Sequence, residues 1–255
     1  MEDLLVEHWG HVARVTIDRP KALNAVTVAM DLELARIWDV LDPDPGVRVI
    51  VLRSSGDRAF CAGGDVREEG ARPRIALGGG LTGVGGPLRT LRTPLVCAVQ
   101  GYALGGGFEL AVCGDVIVAA DTARFGITEA RIGNLAEVGP VHRAVRQLPQ
   151  RVAMGMILTG EHLTADHALA HGLVNEVVPA AELHAAADRW AERIAECSPL
   201  AAQAAKDAAL SRVGWPLEIA LSTRYEPIEQ YATSHDRAEG LAAFAERRAP
   251  LWEGR

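Results

Sequence analysis

Along the first two-thirds of the chain, short apolar runs alternate with glycine, proline and charged turns; in the last third the apolar period lengthens to that of helices. Leu4 to Glu7 and Val12 to Asp18 alternate apolar and polar residues around Gly10, which predicts a β-hairpin that Arg19-Pro20 ends. Thr27 can cap a helix whose apolar positions Val28, Leu32, Ala35, Ile37, Trp38 and Leu41 fall mostly on one face. Asp42-Pro-Asp-Pro-Gly46 stops it. Val47 to Leu52 then reads as a short buried strand, and residues 53–64 as a Ser- and Gly-rich loop. From Glu68 to Gly86 the chain is first basic, then Gly-rich and aperiodic, the pattern of a mobile lid or access loop.

Pro94 precedes a strand at Leu95 to Val99, Gly101 to Gly107 is a Gly-rich turn into a helix at Phe108 to Cys113, and Val116 to Ala119 is another strand. Strand-then-helix units recur roughly every 50 residues, which predicts an α/β fold. From Ala180 the chain reads as helical, with breaks at Ser198-Pro199 and Trp215-Pro216. This tail is rich in Ala and carries Trp190, Trp215, Tyr225 and Tyr231, more apolar surface than a lone appendage can bury. It should pack on the main domain or on a neighbouring subunit. The division expected is a core at 1–180 and a helical region at 181–255.

Composition narrows the function classes. The 255 residues suffice for one large domain, or a domain plus an appendage. A net charge of −7 excludes broad electrostatic attraction to nucleic acid or to an anionic membrane. Cys61, Cys97, Cys113 and Cys197 form no C-x-x-C pair, so zinc-ribbon and thioredoxin readings fail, and buried free thiols are expected. Glu2, Asp3, Glu7 and His8 interrupt any leader-like apolar run, and no stretch approaches the ~20 apolar residues of a membrane helix. A reducing cytoplasm is the expected compartment. His167 and His171 share a helix face at metal-ligand spacing but lack a third ligand in the sequence, and Arg143, Arg146 and Arg151 read as a basic helix face, with phosphate binding as the lesser alternative.

The candidate chemistry lies in Gln100-Gly-Tyr-Ala-Leu-Gly-Gly-Gly-Phe-Glu109. Three glycines before a helix leave its first N–H groups unhindered, and those donors have no intrahelical partner. A developing oxyanion could be held there; close strand–helix packing would ask for the same glycines. The absence of a third correctly spaced glycine argues against a dinucleotide site. A second Gly-rich turn, Ala59-Phe-Cys-Ala-Gly-Gly64-Asp65, could supply another donor, and Asp65 could cap a helix after it.

Five segments carry a resemblance: Arg19-Pro-Lys-Ala-Leu-Asn-Ala25, Phe60-Cys-Ala-Gly-Gly-Asp65, Gly101-Tyr-Ala-Leu-Gly-Gly-Gly-Phe-Glu109, Ala123-Arg-Phe-Gly-Ile-Thr-Glu129 and Gly172-Leu-Val-Asn-Glu-Val-Val-Pro179. They resemble motifs of the enoyl-CoA hydratase/isomerase (crotonase) family, in the family's order and across essentially the whole chain. The resemblance implies a spiral of ββα units with a C-terminal helical region, assembled as a trimer or a dimer of trimers. It implies a coenzyme A thioester substrate and no metal or redox cofactor. Gly64 and Gly106 match the oxyanion-hole positions, and Glu109 and Glu129 match the two glutamates of the hydratases. Leu23, Gly64, Val66 and Gly106 match backbone contacts to CoA, with Arg67 as a phosphate contact.

The implied reaction is addition of water to a 2-enoyl thioester: Glu109 activates water and Glu129 exchanges the proton at C2. Outside the family pattern, Glu109 would be a first-turn helix glutamate and Glu129 a solvated turn residue. The sequence departs from the common hydratase pattern at Gly133-Asn-Leu-Ala-Glu137-Val-Gly-Pro140, where Glu137 replaces a glycine. In 3-hydroxyisobutyryl-CoA hydrolases and dienoyl-CoA isomerases an acidic residue holds this place. Isomerase or thioester hydrolase is therefore the alternative within the family. Acyl-CoA or RNA binding without turnover is the alternative outside it, opposed by the acidic charge and by the presence of both Glu109 and Glu129. Glu137 could equally serve as an acid before the helix that Pro140 opens.

Overall fold

The computed structural model describes residues 3–65, 67, 90–136 and 139–255. The expected access loop over 68–86 lies outside these residues, as do Val66 and Glu137.

The hairpin forms as β1 (Leu4–Trp9) and β2 (Val12–Ile17), paired antiparallel from Leu4↔Ile17 to Trp9↔Val12, with Gly10 at φ 56° in the turn. Helix α1 (Val28–Leu41) is capped by Thr27, whose side chain accepts from the Met30 N–H at 3.2 Å. Its buried stripe is Met30, Leu34, Ala35, Trp38 and Leu41, while Leu32 is exposed. Of the expected positions Ala35, Trp38 and Leu41 are buried and Ile37 packs against the core, while Met30 and Leu34, one i, i+4 step apart, complete the stripe and Leu32 lies outside it.

A six-stranded sheet runs in the order β1-β2-β3-β5-β7-β10, where β3 is Val49–Ser54, β5 Leu95–Val99, β7 Val116–Ala120 and β10 Glu176–Val178. From β2 onward every pairing is parallel. Both faces are covered. Ile50, Leu52, Leu95, Cys97, Val99, Ile117 and Ala119 enter the main core, whereas Val49, Val51, Val96, Ala98, Val118 and Ala120 enter a second core. Alternate residues face opposite sides of a strand, so burial of both sides demands the unbroken apolar runs seen in the sequence. The lid on the second core is α6 (Leu183–Ala195), whose Leu183, Ala186, Ala187 and Ala191 pack against the sheet.

A smaller sheet runs β4-β6-β8-β9, from β4 (Ala59–Cys61), β6 (Tyr102–Leu104), β8 (Arg124–Gly126) and β9 (Leu163–Thr164). The stretches at 53–64 and 101–107, which read as loop and turn, thus contain three-residue strands. They are too short for a period to register, and only pairing with neighbouring turns of the coil makes them strands. The chain passes from the large sheet to the small one three times, β3 to β4, β5 to β6 and β7 to β8. This is a spiral of ββα turns.

Helices α2 (Gly106–Val112), α3 (Pro140–Gln147), α4 (Gln150–Thr159) and α5 (Ala165–Ala170) complete the coil. Beyond α6 come α7 (Pro199–Leu210), α8 (Leu217–Ser222), α9 (Glu226–Ala232) and α10 (His235–Glu246). Ser198 caps α7 by accepting from the Ala201 N–H, and Pro216 precedes α8, so both expected breaks fall between helices. The final residues are tied back: Arg48 donates to the Trp252 carbonyl at 2.8 Å, and the buried Asp236 accepts from the Glu253 N–H at 2.8 Å. Among the described residues no helix is long and apolar enough to cross a membrane.

Candidate active site

The site is assembled where the spiral's turns meet. Leu23 and Asn24, both at positive φ (52° and 55°), turn the chain out of the hairpin. Asn24 is buried and satisfied: its carbonyl oxygen accepts from the Arg19 N–H, and its amide donates to the Ser55 and Ala59 carbonyls. The Leu23 carbonyl accepts from the Ala62 N–H at 3.0 Å, which stitches this turn to the strand end at β4.

Beyond β4 the chain runs alongside Val26. The Val26 N–H donates to the Gly63 carbonyl at 2.8 Å, and the Asp65 N–H donates to the Val26 carbonyl at 2.9 Å. Successive amides of an extended chain point to opposite sides. The Gly64 N–H, lying between these two bonds, therefore points away from Val26. A Cβ on Gly64 would meet nothing within 4 Å, so this backbone borders open space. A Cβ on Gly63 would stand 3.4 Å from the Gly106 nitrogen, so the two glycine turns adjoin. Gly106 is the first residue of α2, where the N–H has no intrahelical acceptor. Gly107 admits no side chain, because one would overlap the Cys61 carbonyl. Close packing and an N–H without an intrahelical acceptor thus coexist in one glycine run.

Asp65 and Arg19 brace this turn. Both terminal nitrogens of Arg19 donate to Asp65 Oδ2 at 3.1 Å, and Nη1 also donates to the Ala25 carbonyl at 2.7 Å. Asp65 Oδ1 accepts from the Arg67 N–H at 3.1 Å, and the exposed Arg67 guanidinium lies on the same carboxylate. These bonds from Arg67, then from Arg19, hold the Asp65 carboxyl well below the usual carboxylate range despite its burial. A cavity of about 450 Å³ opens beside them, with Lys21, Arg19 and Arg67 in its wall. Lys21 carries no motif signal of its own, and its place in the cavity wall is what marks it as a candidate cation.

Both glutamates touch Gly105, Glu109 through its backbone and Glu129 through its carboxylate. Glu109 donates its N–H to the Gly105 carbonyl at 3.0 Å, in the first turn of α2, and its side chain is 1% exposed. Its carboxylate lies against Gly139, where a Cβ would crowd it, and Arg143 Nε stands 3.7 Å from Oε1. Glu129 arrives by sheet register. Leu104 of β6 pairs with Gly126 of β8, and Gly105 donates to the Gly126 carbonyl at 2.9 Å. Three residues on, the Glu129 carboxylate folds back against Gly105, where a Cβ would overlap it. Glu129 is half-buried, and its buried Oε2 has no hydrogen-bond partner among the described residues. Burial pushes its carboxyl upward, offset in part by its own backbone N–H and that of Thr128.

Of the sequence candidates, Leu23, Gly64, Gly106, Glu109 and Glu129 come together around these turns, with Arg67 at the outer edge. Of the three arginines expected on one basic helix face, Arg143 lies on α3 and reaches Glu109, and Arg151 lies on α4. Arg146, which does lie at the surface, donates to the His142 carbonyl one turn back.

Two sheets wound by repeated strand–strand–helix turns, with two glycine turns that adjoin and the Glu129 carboxylate folded onto the second, are the architecture of the crotonase class of fold. The chain belongs to the enoyl-CoA hydratase/isomerase family, whose model matches residues 7–255. It is 37% identical to (E)-benzylidenesuccinyl-CoA hydratase of Thauera aromatica, covering 98% of each chain. It is also 37% identical to carnitinyl-CoA dehydratase of Escherichia coli K12, covering 100% of this chain and 99% of the relative. Among solved structures it resembles one assigned to a short chain enoyl-CoA hydratase of Novosphingobium aromaticivorans, with 54% identity, a TM-score of 0.93 and coverage of 100% and 99%. It likewise resembles enoyl-CoA hydratase of Mycobacterium tuberculosis, with 38% identity, a TM-score of 0.92 and 99% coverage of each chain.

Proposed function

We propose that this chain adds water across the C2=C3 bond of a 2-enoyl-CoA thioester. The observation that carries the reading is the Glu129 carboxylate folded against Gly105, at the start of the helix that bears Glu109, where the two glycine turns adjoin. The relatives named hydratase and dehydratase support it, since both names describe gain or loss of water from a CoA thioester.

In this mechanism the thioester oxygen sits between the N–H groups of Gly64 and Gly106. Two donors polarise the conjugated system and stabilise the enolate that forms. Glu109 takes one proton from water as the oxygen bonds to C3. The electron pair of the double bond moves toward the thioester oxygen. Glu129, whose burial favours its protonated form, then delivers a proton to C2 as the enolate collapses. The product is the 3-hydroxyacyl thioester, and a proton passes from Glu109 back to Glu129 to reset the pair. Leu23, Val66 and Arg67 contact the CoA moiety in this reading.

Purified protein should consume crotonyl-CoA with loss of the absorbance of the conjugated thioester. An inactive protein that nevertheless binds the thioester would overturn the reading in favour of a binding module. Glu137, a third carboxylate by sequence position, is tested by comparing Glu137→Gln with wild type on a 2-enoyl-, a 3-enoyl- and a 3-hydroxyacyl-CoA. Loss confined to the second substrate marks an isomerase, and loss of CoA release from the third marks a hydrolase.

We also infer a division of labour at about residue 180, with the thioester site before it and packing after it. Exposed Leu210, Trp215, Leu217, Leu221 and Phe244, the last 87% exposed, support a trimer or a dimer of trimers. Light scattering that finds only monomer at micromolar concentration would remove this inference.

A further inference from the structure

Glu109 holds its carboxylate almost fully buried at the start of a short helix. Its side chain is almost fully enclosed, and a buried carboxylate is costly unless a positive charge or several donors compensate it. Its own helix is short and apolar, running Gly-Gly-Phe-Glu-Leu-Ala-Val. One compensating charge arrives from another element. Arg143 lies in the first turns of α3, and its side chain is 23% exposed, with Nε 3.7 Å from Glu109 Oε1. The approach depends on Gly139, the residue before α3. A Cβ there would crowd Glu109 Oε1 and come within 3.8 Å of Arg143 Nε, and the φ of 147° is one that L side chains rarely adopt. Gly139 thus leaves room for carboxylate and guanidinium to face each other. Cys113, one turn along α2 from Glu109, feels both charges, and burial holds it as a neutral thiol, pushed up to about 12.

We propose that Arg143 is a positioning residue for Glu109: reaching in from α3, its guanidinium fixes the carboxylate and supplies the counter-charge its burial demands. Through it the start of α3 joins the reacting apparatus without touching the thioester. The inference rests on the hydratase reading above, in which Glu109 activates water. It adds that the activating carboxylate depends on a second helix for its charge and direction.

The experiment is a double-mutant cycle on crotonyl-CoA hydration, gated by Glu109→Gln. If wild type is active and Glu109→Gln is about 10²-fold slower at a rate still measurable, the hydratase reading stands, and Arg143 is tested independently of it. Arg143→Gln should then lower kcat about tenfold or more, with KM changed less than about twofold. In the Glu109→Gln background the same change should cost little, because the group Arg143 acts on is gone. The acidic limb of kcat/KM should move to higher pH, since removing the cation makes the Glu109 carboxylate harder to keep ionised. Added guanidinium should restore part of the rate.

Equal losses in both backgrounds with an unmoved acidic limb would overturn the proposal and leave Arg143 a structural residue. A raised KM at unchanged kcat would overturn it in favour of direct substrate contact. Should Arg143→Gln fail to fold, Arg143→Lys decides: it keeps the charge at a different reach, so its cost must vanish when Glu109 is Gln. An equal cost in both backgrounds would overturn the proposal again.

Discussion

Glu109 and Glu129 present the same carboxylate from two turns of the coil that meet at Gly105, yet their surroundings differ in kind. Glu109 is sealed in the protein, in the first turn of α2, with a guanidinium facing it from α3. Glu129 sits in a 3-10 turn, Glu129–Ile132, half-buried, and burial is what dominates its titration. A facing cation favours the ionised form, whereas burial without one favours the protonated form. Two identical residues can therefore divide into base and acid by environment alone, which is what addition of water across a conjugated bond requires.

The strongest break in this comparison is removal of either carboxyl. Glu109→Gln and Glu129→Gln should each lower crotonyl-CoA turnover by about 10²-fold or more, with circular dichroism unchanged. A wild-type rate in either purified variant would take that residue out of the reaction. The next break is Gly105→Ala, at the junction of the two turns. A methyl there would overlap the Glu129 carboxylate, on a backbone at φ 53°. Displacing a reacting group by about 1 Å costs on the order of 10²-fold, so this variant should approach Glu129→Gln in rate. Retention of full activity would show that the Glu129 position is not critical.

Gly64→Ala sharpens the comparison from the thioester side. Its Cβ would meet no protein atom within 4 Å, and its φ is not positive, so the thermal midpoint should stay near that of wild type. Turnover should fall all the same, because the methyl would enter the space the thioester oxygen needs. A fall in stability with turnover intact would place the substrate elsewhere.

Smaller effects concern stability. Asp65, depressed by Arg67 and Arg19, contributes stability that is present above its unfolded pKa, about 3.9, and is lost as pH falls through its folded value. Asp65→Asn should therefore lower the thermal midpoint at pH 7, and the deficit should shrink below about pH 4. Glu129 has the opposite sign. Its raised carboxyl binds a proton more tightly in the folded chain, so the ionised form weakens the fold once pH exceeds that raised value. Glu129→Gln should be slightly more stable than wild type at pH 8 while it loses turnover, as expected where a site holds a group at an energetic cost. An equal or lower midpoint at that pH would mean that Glu129 is not held in an unfavourable state.

Much of this was legible in the residues themselves. The hairpin around Gly10, the strand at Leu95–Val99, the Thr27 cap and the breaks at Pro199 and Pro216 rest on local chemistry and period, and all appear in the fold. The unbroken apolar runs of β3 and β5 follow from burial on both sides, a property each strand carries in its own composition. The five ordered motifs pointed to the family, and through it to Glu109, Glu129, Gly64 and Gly106.

What the tertiary structure alone decided concerns relations between distant residues. The strands β4, β6 and β8 have three residues each, too few to show a period, and they exist because successive turns of the coil bring them into register. The same register carries Glu129 onto Gly105 across a gap in sequence that no local rule spans. The direction of Arg143 is likewise beyond local rules. In sequence Arg143 and Arg146 are one helical turn apart and chemically alike, and both suit a solvated face. Only the position of α3 over α2 turns Arg143 toward a buried carboxylate and leaves Arg146 outside. Periodicity encodes how much of a helix is buried; which charge faces which is set by packing, because a Coulomb interaction depends on distances that the order of residues does not contain.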